Sequence, residues 1–184
     1  MPGNDFVQQH ALTAITAALF AVALWRLGVT PELPAVLAFI FGGVLLSVID
    51  WKVQRLPTKL VYSTLAAVTA GLVFASLVQW EWKPLATAAA GGVLFANAFF
   101  LIWLVGRSIG LMIIGLGDVR LALLLGMVLG WYGLPYVLYG AIAGNLFALV
   151  MVAVTCVRAR RVQMRYSFGP SLIAGALAVV LVHG

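Results

Sequence analysis

Apolar residues run in long blocks along the chain, and polar residues fall in the short gaps between them. The blocks cover 11–28, 34–50, 60–80, 85–106, 119–132, 135–157 and 170–183. A helix needs about 20 predominantly apolar residues to cross a bilayer, so these blocks predict membrane-spanning helices. The fifth block is short, and the sixth follows it after only Gly133 and Leu134. Around that break Trp131, Tyr132, Gly133, Pro135 and Tyr136 combine interfacial aromatics with helix breakers, which predicts a tight hairpin. The pattern predicts an all-α polytopic integral membrane protein with about six to seven transmembrane helices. Seven would put the two termini on opposite sides.

Composition narrows the function classes. Hydrophobic residues make up 64% and charged residues 9% of the 184, and the mean hydropathy is +1.12. There is too little polar surface to cover a globule in water, which excludes a soluble enzyme, a disordered tail and a secreted disulfide scaffold. The lone cysteine, Cys156, permits no internal disulfide, and with two histidines it makes no Cys/His zinc site. No internal repeat or linker divides residues 1–184, which read as a single membrane-embedded domain. Gly126/Gly130 and Gly140/Gly144 stand at the four-residue spacing of close helix packing.

The net charge of +6 orients the chain rather than pointing to nucleic acid, because the basic residues lie in the gaps. Lys52, Arg55, Lys59, Arg107, Arg120, Arg158, Arg160, Arg161 and Arg165 fall on one side, and only Arg26 and Lys83 on the other. The positive-inside rule then predicts that the N-terminus and the 51–59, 107–118 and 158–169 loops are cytoplasmic and the C-terminus external. Residues 1–10 carry no base ahead of the first apolar block and do not read as a cleavable signal peptide.

Five carboxylates exist: Asp5, Glu32, Asp50, Glu81 and Asp118. Asp5 lies in the N-terminal tail, and Glu32 and Glu81 lie in the outer gaps beside prolines, where solvated loop charge accounts for them. Asp50 ends the second block directly after Val48 and Ile49, and Asp118 opens the fifth directly after Gly115-Leu116-Gly117. An ionisable group costs on the order of 2.5–3.5 kcal/mol at a helix centre in the bilayer and less near the interface, so each placement needs a reason. One reason is pairing with a neighbouring base, Lys52 or Arg55 for Asp50 and Arg120 for Asp118. The other is chemistry. Gly110, Gly115 and Gly117 allow unusual backbone conformations and close approach of another chain beside Asp118. Two carboxylates converging across a helix interface can hydrolyse a peptide, one taking a proton from water while the other donates to the scissile carbonyl. The chain has no H-E-x-x-H, no G-x-S-x-G and no phosphate loop, and Asn97 and Asn145 read as interhelical hydrogen-bond partners.

At these residues the sequence resembles the type IV prepilin peptidases, membrane aspartic proteases of the GxGD type. Ile49-Asp50-Trp51-Lys52-Val53-Gln54-Arg55-Leu56-Pro57-Thr58 is similar to the family's Asp, basic stretch and Arg-Ile-Pro-Asn. Gly115-Leu116-Gly117-Asp118-Val119-Arg120-Leu121 is similar to its Gly-x-Gly-Asp-Val-Lys-Leu, and Phe168-Gly169-Pro170 to its late Phe-Gly-Pro. The resemblance covers roughly residues 36–175. It implies that Asp50 and Asp118 are the catalytic pair, supported by the motif residues Arg55, Pro57, Gly115, Gly117, Arg120, Gly169 and Pro170. It further implies a multi-pass enzyme of the inner, cytoplasmic membrane that removes a basic leader from prepilins or pseudopilins, after a glycine and on the cytoplasmic side. The partners implied are that substrate helix and the lipid bilayer, with no nucleic acid, cofactor or metal.

Two positions depart from the pattern: Thr58 stands for the usual Asn or Asp, and Arg120 for Lys. The cysteine-bearing cytoplasmic insertion of bifunctional members has no counterpart between the first two spans, so the resemblance does not extend to N-methyl transfer. A presenilin-type protease would show Tyr before its first Asp and a late Pro-Ala-Leu, whereas Ile49 and Phe168-Gly169-Pro170 stand here. A small proton-coupled transporter would carry its acids nearer mid-span.

Overall fold

The computed structural model describes residues 3–53, 56–110, 115–159 and 168–183. Within these the chain forms seven helices: α1 (Gly3–Leu27), α2 (Leu33–Val53), α3 (Thr58–Gln79), α4 (Lys83–Ser108), α5 (Leu116–Tyr132), α6 (Leu134–Ala159) and α7 (Gly169–His183). No strand occurs among the described residues. Four stretches, Leu33–Val53, Thr58–Gln79, Lys83–Ser108 and Leu134–Val154, are long and apolar enough to cross a membrane, and Leu12–Leu27 and Gly169–His183 are shorter apolar helices. The chain is an all-α, multi-pass membrane protein.

Helix ends follow local chemistry. Gly28 and Gly110 adopt φ of +65° and +75° just beyond α1 and α4, the left-handed geometry that glycine takes without a Cβ penalty. The predicted hairpin between the fifth and sixth blocks is present, with Gly133 alone between α5 and α6 at φ +135° and its N–H donating to Gly130 O at 3.1 Å. One boundary moves. The second block was expected to end at residue 50, but α2 continues to Val53, so Asp50 sits inside its last turn rather than at its final residue.

Parts of α2, α5 and α7 form the buried centre, where Phe39, Ile40, Leu46, Leu121, Leu124, Leu125, Leu129 and Val180 lose essentially all exposure. α4 and α6 turn large apolar side chains outward, among them Leu101, Leu104, Leu138 and Leu149, as helices facing lipid do. Lipid tails are as apolar as leucine, so helices associate here by close packing rather than by escape from water. Small residues supply that packing. A methyl group on Gly91 would stand 2.6 Å from Gly126 O, and one on Gly130 would stand 2.6 Å from Thr87 O, so α4 and α5 touch backbone to backbone. Gly126 and Gly130 thus pack as their spacing predicts. Gly140 receives Leu129, and Gly144 meets Leu172 and Gly175, joining α6 to α5 and α7. Asn145 is not interhelical: its Nδ2 donates to Ala141 O at 2.9 Å within α6.

The end of the bundle away from the two interior aspartates is stitched by polar contacts. Gln79 Nε2 donates to Glu32 Oε2 at 3.2 Å, Arg26 Nε donates to Leu181 O at 2.9 Å, and Tyr136 lies 5.2 Å from the His183 ring. Glu32 is tied into this end and not into the other.

Candidate active site

Alternation of helix direction brings the end of α2 and the starts of α3, α5 and α7 to one end of the bundle, and with them the three sequence motifs. Asp50 lies in the last turn of α2 and is 6% exposed, the one buried charged side chain among the described residues. Its carboxylate is seated against Gly169, the first residue of α7. A methyl group on Gly169 would fall 2.5 Å from Asp50 Oδ2 and 3.3 Å from its Cγ, so only glycine leaves the carboxylate where it is. Pro170 follows inside the first turn of α7, where its missing N–H is one of the orphans of any helix start. Phe168 O accepts the first helical bond, from Leu172 N–H at 3.1 Å.

Asp118 is the third residue of α5 and half-buried. Its Oδ2 accepts a hydrogen bond from Gly115 N–H at 3.1 Å, while its own N–H donates to Gly115 O at 3.0 Å. This is half of a capping box, since glycine has no side chain to return the bond. A carboxylate in the first turn also meets the positive end of the helix dipole. Asp50 at the end of α2 and Asp118 at the start of α5 thus stand at the same end of the bundle.

Leu56 and Pro57, which lead into α3, lie at this end. Leu56 packs on α5, its Cβ 3.2 Å from where a Cβ on Gly117 would stand. Pro57 precedes α3 with φ −68° and ψ 116°, and its carbonyl accepts from Leu60 and Val61 N–H. Arg120 Nη1 donates to Thr58 Oγ1 at 2.7 Å, and its guanidinium lies 6.0 Å over the Tyr62 ring.

Several sequence expectations change here. Arg120 does not serve as the base beside Asp118, because residues two apart on a helix point to different sides; it reaches across to α3 instead. The three glycines near Asp118 also divide by role. Only Gly110 takes a positive φ, and it ends α4; Gly115 is extended at φ −88°, and Gly117 is helical and makes room for Leu56. Arg55 lies outside the described residues. Sequence reasoning missed Leu56 and Tyr62, which carry no chemistry and gave no signal. It saw Thr58 only as a departure from a pattern, not as the partner of the other departure, Arg120. Among the described residues no three His, Cys, Asp or Glu side chains gather to hold a metal ion, and what this end offers is two carboxylates.

Residues 37–157 match the type IV leader peptidase family. The chain is 34% identical over 177 residues to a prepilin leader peptidase/N-methyltransferase of Pseudomonas putida, a match that covers 94% of this chain and 58% of that protein. It is 35% identical over 153 residues to the protein of the same description in Escherichia coli K12, covering 80% of this chain and 63% of that one. A third such protein, from Burkholderia pseudomallei, is 36% identical over 178 residues, covering 90% and 52%. The chain therefore spans between about half and under two thirds of these relatives. No solved structure matches it significantly.

Proposed function

The chain belongs to the type IV leader peptidase family, and from that premise we propose that it is an aspartic endopeptidase that cuts the basic leader from prepilins or pseudopilins at the cytoplasmic face of the inner membrane. The observation that carries the reading is the meeting of three motifs distant in sequence, with Gly169 against the Asp50 carboxylate and Leu56 against Gly117, next to Asp118. Support for the orientation comes from charge. In the sequence, nine Lys and Arg residues fall in the gaps assigned to the side of Asp50 and Asp118 and two in the others.

In this mechanism the pair holds one proton. The ionised carboxyl takes a proton from water as its oxygen adds to the scissile carbonyl, and the protonated carboxyl donates to the carbonyl oxygen. Collapse of the tetrahedral species breaks the C–N bond, with a proton passing to the leaving amine, and the pair returns to its single proton. The rate then falls at low pH, where both carboxyls are protonated, and at high pH, where both are ionised.

Reconstituted protein given a prepilin with a basic leader, a glycine and an apolar helix should release the leader with its C-terminus at that glycine, read by mass spectrometry. With a methyl donor present, these 184 residues should leave the new N-terminus unmethylated. Intact substrate after prolonged incubation with well-inserted protein, or cleavage that Asp118→Asn leaves unchanged, would contradict the reading.

A further inference from the structure

The first turns of α3 and α5 are joined at two heights. Leu56, just before α3, packs on Gly117, and Arg120 binds Thr58 while lying over Tyr62. Asp118 sits between Gly117 and Arg120, bracketed by the two contacts. A cation this close to a helix N-terminus is electrostatically disfavoured, so Arg120 gains nothing from its own helix. Its bond to a neutral hydroxyl in an exposed position contributes little to stability. What the bond does is fix geometry. Thr58 starts the helix that follows the linker from α2, whose last turn holds Asp50, whereas Arg120 lies two residues after Asp118.

We propose that Arg120 is a positioning residue, whose hydrogen bond to Thr58 locks the first turn of α5 to that of α3 and thereby sets the separation of Asp118 from Asp50. The proposal rests on the reading of these aspartates as the reacting pair. Arginine suits the task because its planar fork can bond the hydroxyl while its face lies on the Tyr62 ring. On the same turn of α5, the Asp118 carboxylate is held by its bond from Gly115 N–H.

The test compares Thr58→Val, which keeps shape but removes the acceptor, with Thr58→Ser, which keeps the hydroxyl, and with Arg120→Leu. Thr58→Val and Arg120→Leu should each lower kcat about tenfold with KM nearly unchanged, since displacements below 1 Å at a reacting pair act on the chemical step. The double variant should be no worse than the worse single, as for two ends of one contact. Thr58→Ser should restore the rate. A contact that only stabilises the fold would shift the melting temperature and leave kcat in place, and that result overturns the proposal. Asp50→Asn run alongside separates the two claims. If it is inactive while Thr58→Val behaves as wild type, the positioning role fails and the catalytic pair stands; if it is active, the pair itself fails.

Discussion

Two seams of this bundle are built on glycine, and glycine does different work in each. Between α4 and α5, Gly91, Gly126 and Gly130 bring backbone against backbone, with Gly126 so placed that a methyl group would meet Gly91 O at 2.5 Å and Phe95 Cβ at 2.8 Å. Any side chain there must push two whole helices apart. At the start of α7, by contrast, the atom against Gly169 is the oxygen of one short side chain, Asp50 Oδ2. A methyl group there moves a carboxylate and leaves the helices alone. The first seam sets helix spacing and so stability, and the second reserves room for a carboxylate. A glycine's meaning therefore lies in what its missing Cβ would touch.

Substitutions that separate rate from stability sharpen this contrast. Gly169→Ala should show the largest effect on rate, a loss of about a hundredfold in kcat, with the thermal midpoint of the detergent-solubilised protein nearly unchanged, because the carboxylate turns aside while α7 stays helical. Near wild-type cleavage in that variant would break the contrast. Gly126→Leu should act in the opposite sense, destabilising by roughly 1–3 kcal/mol or more through overpacking while the properly folded fraction keeps most of its specific activity. A stable but inactive variant would mean that the α4–α5 seam acts on the site directly. Gly117→Ala should fall between them in rate, with a few-fold loss and little change in stability, since Leu56 Cβ at 3.2 Å can give by a few tenths of an ångström.

Much of the fold was legible in the sequence because in a membrane chain the apolar blocks are the helices. All seven blocks became helices, and the hairpin at Gly133 was written in aromatics and breakers. The end of α2 was not, because a helix can carry Asp50, Trp51 and Lys52 past its apolar run when its end lies at the polar boundary. The two aspartates stood out as acids flanking apolar blocks. The partner of Asp50 was harder to see, since Gly169 lies at the other end of the chain and a late Phe-Gly-Pro says nothing about which atom it touches. Arg120 shows the limit of reasoning by nearness along the chain. Its nearest acid in sequence is Asp118, yet helix geometry points it away, and its partner is Thr58 on another helix.

The central claim is that Asp50 and Asp118 act as one unit, and the most direct test is cleavage of a prepilin by Asp50→Asn, Asp118→Asn and the double variant, each reconstituted and checked for insertion. Asn keeps the shape of the side chain and removes its ability to exchange a proton. Each single substitution should abolish nearly all leader release, and the double should be little worse than either, because the loss of one member already disables the pair. Well-inserted Asp50→Asn protein that releases the leader at a near wild-type rate, or two partial losses that multiply in the double variant, would contradict the claim.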